Sequence, residues 1–174
     1  MTWEALGAMG SILSACVIAV TGVFAYRQLR ALRQSAQLEG FLHLQKEFYS
    51  PEMSDARDFA SLELPELLKD EQFTADLATG KINRRRHKEI LLGNFMETIG
   101  MLLHYGALDG RLFFEEYVYI APRTWQQLSP VVAILRKASP RQWEHFEYFA
   151  RKCEAMNMSS FTGQPYFESH ERPA

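Results

Sequence analysis

Three polar side chains interrupt an apolar run in the middle of the chain. The stretch NFMETIGMLLHYGALD, residues 94–109, contains the amide of Asn94, the carboxylate of Glu97 and the imidazole of His104. A carboxylate and an imidazole can transfer protons in catalysis or bind a ligand by hydrogen bonds. They can also line a packed core, provided that the buried carboxylate has a charged or hydrogen-bonding partner.

Candidate partners for these groups lie on other predicted helices. Arg136 borders one apolar helix face, Glu147 borders another, and Arg57 lies in an early helix. One interpretation is an interhelical polar network that fixes the packing, and the other is a ligand pocket or a catalytic carboxylate. The predicted set for a network or a pocket is Asn94, Glu97, His104, Arg136, Glu147 and Arg57. No catalytic residue is assigned among them.

Metal and cofactor chemistry is not predicted. His43 and Glu47 share a helix face, but neither an H-E-x-x-H motif nor a paired C-x-x-C motif occurs. The prediction is therefore that the protein has no metal site and no cofactor.

A basic run, KINRRRHK, precedes the apolar stretch at residues 81–88. Its cations could contact anionic lipid head groups or simply form a solvated surface. No aromatic side chain is interleaved with the run, and the net charge of the chain is -2, so nucleic acid is not the predicted partner. The predicted patch consists of Lys81, Arg84, Arg85, Arg86 and Lys88.

The N-terminal segment has the length and composition of a membrane span. Residues 5–26 carry no charge, and about 20 apolar residues in a helix cross the hydrocarbon core of a bilayer. Arg27, Arg30 and Arg33 follow directly, whereas only Glu4 precedes the run. The positive-inside rule therefore predicts a single-pass protein with its N-terminus outside and the rest of the chain in the cytoplasm.

Small residues recur at every fourth position of this segment, at Gly7, Ser11, Ala15 and Ala19. Such spacing makes a helix face of low relief, which lets transmembrane helices approach closely. The face is interpreted either as a self-association surface or as part of a plain monomeric anchor.

The rest of the chain shows helical periodicity and no sustained alternation typical of strands, so the predicted class is all-α. The membrane helix is expected to continue into a small cytoplasmic helical bundle. Three Ser-Pro pairs, at Ser50, Ser129 and Ser139, are interpreted as helix starts, and Gly106 as a left-handed helix stop followed by a cap at Asp109. Further helices are predicted near 51–62, 65–78, 84–105, 110–119, 122–128, 130–138 and 140–156.

At 174 residues, the length suits one domain with an appendage. The predicted organisation is a transmembrane anchor with a basic juxtamembrane segment at 1–35, a helical domain at 36–156, and a loosely ordered tail at 157–174.

Three segments together, NFMETIGMLLHYGALD, TWQQLSPVVAILRK and WEHFEYFARKCE, resemble a bacterial family named only as domain of unknown function forty-seven-sixty. The resemblance covers about residues 1–155 and implies an N-terminal membrane helix with a small helical cytoplasmic domain, at the inner membrane of a bacterium. It brings no known activity. The residues that carry it are Asn94, Phe95, Glu97, Gly106, Trp125, Arg136, Phe146 and Glu147.

The functional prediction that follows is a membrane-tethered interaction or regulatory module that binds a protein partner or a second copy of itself, and an enzyme is the less favoured reading. The alternative is a membrane-anchored effector, either a hydrolase that uses Glu97 as a base or an RNase-like phage-defence protein. The RNase class has four to six residues between an Arg and the His that follows it. Arg141 precedes His145 by one residue too few for that pattern.

Overall fold

The computed structural model describes the backbone of residues 3–161 and the side chains of residues 14–157. The described backbone contains helices and connecting turns but no strand, which confirms the all-α class. By its contacts the chain divides into two compact units, Met1–Gly40 and Phe41–Ala174. The three-part organisation derived from the sequence remains a prediction, and residues 162–174 of the predicted tail lie outside the described part.

The first unit consists of most of helix α1, Trp3–Phe48. Among the described residues, one segment, Ser14–Phe48, is long and apolar enough to cross a membrane, and none of its most apolar stretch is buried. The side chains of Val17, Ile18, Val20, Val23 and Phe24 are 57 to 72% exposed. This exposure distinguishes the segment from the core helix of a globular domain, whose apolar residues are mostly buried.

The second unit is built from short helices around one apolar core. They are α2 (Pro51–Asp58), a π-helical turn (Phe59–Glu63), α3 (Leu64–Leu67), α4 (Glu71–Thr79), α5 (Glu89–His104), α6 (Gly110–Tyr117), α7 (Ile120–Leu135) and α8 (Glu144–Phe161). Helix α5 is central, and it packs most extensively against α8. Met96 and Ile99 of α5, with Phe146 and Phe149 of α8, have no exposed surface.

Several predicted helix ends are confirmed by their capping contacts. The Ser50 hydroxyl accepts a hydrogen bond from the Met53 amide at 3.2 Å, and Asp109 accepts one from the Arg111 amide at 3.0 Å. Gly106 has a φ of 67°, and the next amide, that of Ala107, reaches back to the carbonyl of Leu102. These contacts satisfy backbone groups that helix ends leave unpaired.

The other two Ser-Pro predictions were wrong. Helix α7 runs through Pro130 without a break, and the Ser129 hydroxyl donates to the carbonyl of Gln126 instead of capping a new helix. Burial explains the continuity, because Leu128, Val132 and Leu135 line one face on both sides of the proline. Residues 139–143 form a turn, and α8 begins only at Glu144, so the helix start predicted at Ser139 does not form.

The sequence predicted that helix α5 begins within the basic run, near residue 84, and this start was wrong. Residues 84–86 form a turn, and the helix begins at Glu89. The side chain of Asn83 accepts a hydrogen bond from the Arg85 amide at 3.0 Å, which favours a turn over a helix. The turn also keeps the three consecutive arginines out of a helix N-terminus, where cations are unfavourable.

Candidate functional site

Asn94 and Glu97 both contact the segment that begins helix α8. The Trp143 indole nitrogen donates to Oδ1 of Asn94 at 2.9 Å. Glu97 uses both oxygens: Oε1 lies 2.8 Å from Nδ1 of His145, and Oε2 accepts the Phe146 amide at 2.7 Å. Together these five residues, Asn94, Glu97, Trp143, His145 and Phe146, form what we call the α8 anchor. Glu97 thus caps a helix other than its own.

Two glycines of α5 allow the segment that begins α8 to pack closely against α5. A Cβ atom on Gly100 would lie 2.1 Å from the carbonyl oxygen of His145, and one on Gly93 would lie 2.1 Å from the Trp143 ring. Real Cβ atoms do not approach other atoms so closely. The backbone of α8 and the Trp143 ring therefore occupy space that any larger residue at these two positions would fill.

Trp143 also has unusual backbone geometry. Its φ of 55° makes it the one non-glycine residue with positive φ among those that the structure describes. This conformation is costly for a bulky side chain and persists only where the surroundings hold it. The contact with Asn94 and the burial of the ring supply that support.

Arg136 does not contact Glu97. Its Nη1 atom lies 2.8 Å from Glu147, its Nε donates to the carbonyl of Gln142, and Arg151 binds the other oxygen of Glu147 at 2.6 Å. Burial raises the pKa of Glu147, but the hydrogen bonds from the two arginines outweigh it and hold that pKa below its ordinary value. A second polar cluster therefore lies beside the α8 anchor.

The remaining two residues of the predicted set lie elsewhere. His104 is exposed, and its ring centre lies 5.4 Å from that of His145. Arg57 donates to the backbone carbonyl of Phe48, and its guanidinium lies over the Phe48 ring at 4.3 Å. The structure thus brings Asn94, Glu97 and His104 toward α8, whereas Arg57 lies in a different cluster, with Phe48.

These residues line three cavities, one of which has a volume of about 350 Å³ and is lined by Asn94 together with Arg84 and Arg85. Asn94 and Glu97 help to line an open cavity of about 490 Å³ beside the turn at 139–143. Arg57 lines another of about 420 Å³ together with Tyr49, Tyr119 and Arg123. Each volume could accommodate a small molecule, and a ligand role for the predicted residues remains a prediction.

The basic run divides into bound and free cations. Arg86 pairs with Asp70 at 2.8 Å and with Asp76 at 3.3 Å, and Lys88 pairs with Asp55 at 2.9 Å. Lys81, Arg84 and Arg85 are exposed and make no ion pair in the described structure. Two of the five cations are therefore paired with carboxylates, and contact of this patch with lipid remains a prediction.

A buried ion pair was missed by the sequence reasoning. His87 and Glu89 have no exposed side chain surface, and Nδ1 of His87 lies 2.8 Å from Oε1 of Glu89. The other ring nitrogen and the other carboxylate oxygen are buried without a hydrogen-bond partner. Burial raises the pKa of Glu89, although the contact with His87 opposes the shift. His87 belongs to the basic run and Glu89 follows it directly, so no local pattern indicates that either side chain is buried.

The small-residue face of the N-terminal segment is only partly described. Ala15 and Ala19 are exposed on α1, while Gly7 and Ser11 lie in a stretch of helix whose side chains are outside the described residues. Among the described side chains, no group of three or more His, Cys, Asp or Glu is placed to hold a metal ion.

Comparison with known proteins identifies a family whose function is unknown. No curated protein and no solved structure matches the chain. Residues 9–153 match the model of a family described as a domain of unknown function, DUF4760, and this range includes α5, α7 and the start of α8. The resemblance drawn from the sequence is thereby confirmed, and the chain belongs to the DUF4760 family.

Proposed function

We propose that the protein is a single-pass membrane protein that tethers a helical interaction or regulatory module to the cytoplasmic face of a bacterial inner membrane. The observation that carries this proposal is the exposure of five large apolar side chains on consecutive turns of α1, residues 17–24. A contiguous exposed apolar surface of this kind requires a cover. A bilayer supplies one along the whole length of the segment.

The charges on either side of the segment support the orientation. Arg27, Arg30 and Arg33 are exposed and follow the last apolar turn. Positive residues next to a span stay preferentially in the cytoplasm, so the N-terminus is outside and the helical unit inside.

The engagement of Glu97 supports an interaction role over an enzymatic one. Both of its oxygens contact the α8 segment, so the carboxylate has a role in holding that segment against α5. The residues of the RNase alternative are engaged in a similar way, since Arg141 binds Glu144 and His145 binds Glu97. The partner is then a protein, either another chain or a second copy joined through the small-residue face.

Topology reporters test the membrane part of the proposal. The full chain is fused at its C-terminus either to green fluorescent protein, which is fluorescent only in the cytoplasm, or to alkaline phosphatase, which is active only outside it. We expect membrane fluorescence that resists alkaline extraction, and no phosphatase activity. Ile18→Asp with Val23→Asp should release the fusion into the soluble fraction, because charges in the hydrocarbon region are costly. A wild-type fusion that is soluble or active as a phosphatase would contradict the proposal.

Self-association is tested separately by a transmembrane two-hybrid assay. Ala15→Leu with Ala19→Leu fills the small-residue face and should reduce the signal if two copies meet there. Val17→Leu with Thr21→Leu adds bulk on the opposite face and serves as the control. Equal signals from the two variants would leave a different protein as the partner.

A further inference from the structure

A cavity of about 350 Å³ lies where helix α2 meets the beginning of α5. We call it the basic cleft, and its charged lining consists of Arg84, Arg85 and Lys88 with Glu52 and Asp55. The proposed interaction role makes no use of this cleft, whose lining residues all belong to the second unit.

The charges of the cleft do not cancel. Lys88 and Asp55 form an ion pair at 2.9 Å, and the hydrogen bond that Lys88 donates to Asp55 raises the pKa of Lys88. Arg84 and Arg85 then face only Glu52, and both are exposed without an ion pair. Arg86 belongs to the same run but is held by Asp70 and Asp76. The cleft therefore keeps two guanidinium groups available, the side chains best suited to bind a phosphate or carboxylate through paired hydrogen bonds.

His87 gives the cleft a second, independent feature. It contributes to the lining, yet its side chain has no exposed surface, and its Nε2 atom has no hydrogen-bond partner. Buried polar atoms without a partner are rare in proteins and call for an explanation. A proton on Nε2 is compatible with the contact to Glu89, because the proton shared by Nδ1 and the carboxylate can belong to either group. Nε2 is then a donor that lacks an acceptor.

The start of α5 adds to the same electrostatic preference. Its N-cap, Lys88, makes no side-chain capping bond, and the 16-residue helix directs the positive end of its dipole toward this region. Negatively charged groups are stabilised at such an end. The apolar part of the lining, Ala56, Ile90 and Leu91, would contact an uncharged body attached to the anion.

From these observations we infer that the basic cleft binds a phosphate ester with a small apolar body, held by Arg84 and Arg85, with Nε2 of His87 donating to a phosphate oxygen. The phosphate can come from a soluble metabolite or from a lipid head group. Both sources present the same chemistry to the cleft.

Two probes distinguish the sources. Phenyl phosphate is titrated into the full chain in maltoside micelles, and phosphatidic acid is supplied in phosphatidylcholine nanodiscs that hold the full chain. The signals of the imidazole nitrogens of His87 are followed by nitrogen NMR in both cases. We expect saturable changes at His87 with at least one probe. If phosphatidic acid alone produces them, the source is the head group, and if phenyl phosphate in micelles produces them, a soluble ester is sufficient.

Matched variants separate the cleft from general attraction between charges. Arg84→Gln with Arg85→Gln should weaken binding about tenfold or more, since charge-assisted hydrogen bonds are lost. Lys81→Gln with Lys137→Gln removes the same charge from exposed residues outside the cleft and should change binding less than about twofold. All four residues are exposed and make no ion pair, so both proteins are expected to fold.

Either of two results would overturn the inference. One is the absence of any saturable change at His87 with both probes. The other is an equal loss of binding in the two double variants, which would show that the anion is attracted only by the overall charge of the chain.

Discussion

The second unit contains two glutamate-histidine pairs with the same contact and opposite surroundings. In each, Nδ1 of the histidine lies 2.8 Å from Oε1 of the glutamate. The Glu97–His145 pair is partly exposed, and the second oxygen of Glu97 accepts the Phe146 amide. The His87–Glu89 pair is completely buried, and each member has an atom without a partner.

The difference shows that one contact distance says little about the role of a pair. Satisfied polar groups can stabilise a fold, whereas a buried pair with unpaired atoms is costly and often less stable than an uncharged replacement. We therefore interpret the Glu97 pair as a fold-stabilising contact and the Glu89 pair as one retained at the expense of stability. Four substitutions test this contrast.

Gly100→Ala should abolish most of the stability that the α8 anchor provides. The new Cβ would lie 2.1 Å from the His145 carbonyl, so α8 must shift away from α5. We expect the free energy of unfolding to fall by about 3 kcal/mol, measured by urea unfolding of the full chain in micelles with tryptophan fluorescence. Gly22→Ala, where nothing lies within 4 Å of the added atom, is the control and should not lower stability. A small loss for Gly100→Ala would mean that the helices slide apart easily.

Glu97→Gln should cost about 1.5 to 2 kcal/mol, because hydrogen bonds to an ionised group exceed those to an amide by roughly this amount. The substitution keeps the shape of the side chain and removes the charge at the N-terminus of α8. Urea unfolding measures the loss. The reference is Glu154→Gln, which removes the charge of an exposed glutamate on α8. If Glu97→Gln is as stable as wild type, the carboxylate is kept for another purpose, and the open cavity beside it becomes the place to search for a ligand.

Asn94→Ala should cost about 1 kcal/mol, the typical value of one hydrogen bond. The indole of Trp143 loses its acceptor, and the left-handed backbone of that residue loses part of its support. Asn94→Asp retains an oxygen acceptor and should restore most of the stability. A failure of Asp to restore it would show that the amide itself, and not the acceptor, is required.

Glu89→Gln should not lower the free energy of unfolding, in contrast to Glu97→Gln. We expect stability to be unchanged or raised by up to about 1 kcal/mol at neutral pH, because a buried amide costs less than a buried charge. Since burial raises the pKa of Glu89, wild-type stability should fall as the pH rises from the ordinary value of 4.5 toward that raised pKa. The Gln variant should lack this part of the pH dependence in urea unfolding. If Glu89→Gln lowers stability, Glu89 stabilises the fold in the way that is expected of Glu97.

Much of the architecture follows from local sequence. The apolar run without charges, the arginines after it, and the caps at Ser50, Gly106 and Asp109 depend on residues within one or two helical turns, and the capping contacts form as predicted. The apolar face of α8, including Phe146, Phe149 and Cys153, is buried for the same reason. Helix periodicity already indicates which face must be covered.

Partner choice among polar residues did not follow from the sequence. Arg136 was a reasonable partner for Glu97, but it binds Glu147. The imidazole and the amide that Glu97 does bind lie 48 and 49 residues further along the chain. Which cation meets which carboxylate depends on how helices cross, and no local pattern encodes that angle. The same holds for Pro130, where burial of both flanking turns outweighs the local signal for a helix start.

The sequence alone therefore determined the helical class, the apolar N-terminal helix and most capping positions, because these depend on neighbours within a few residues. The packing of the helices explains why Glu97 caps α8, why Arg84 and Arg85 remain free beside a cavity, and why His87 and Glu89 are buried. Burial is a property of the assembled helices. A charged run looks the same in the sequence whether one of its members faces water or lies in the core.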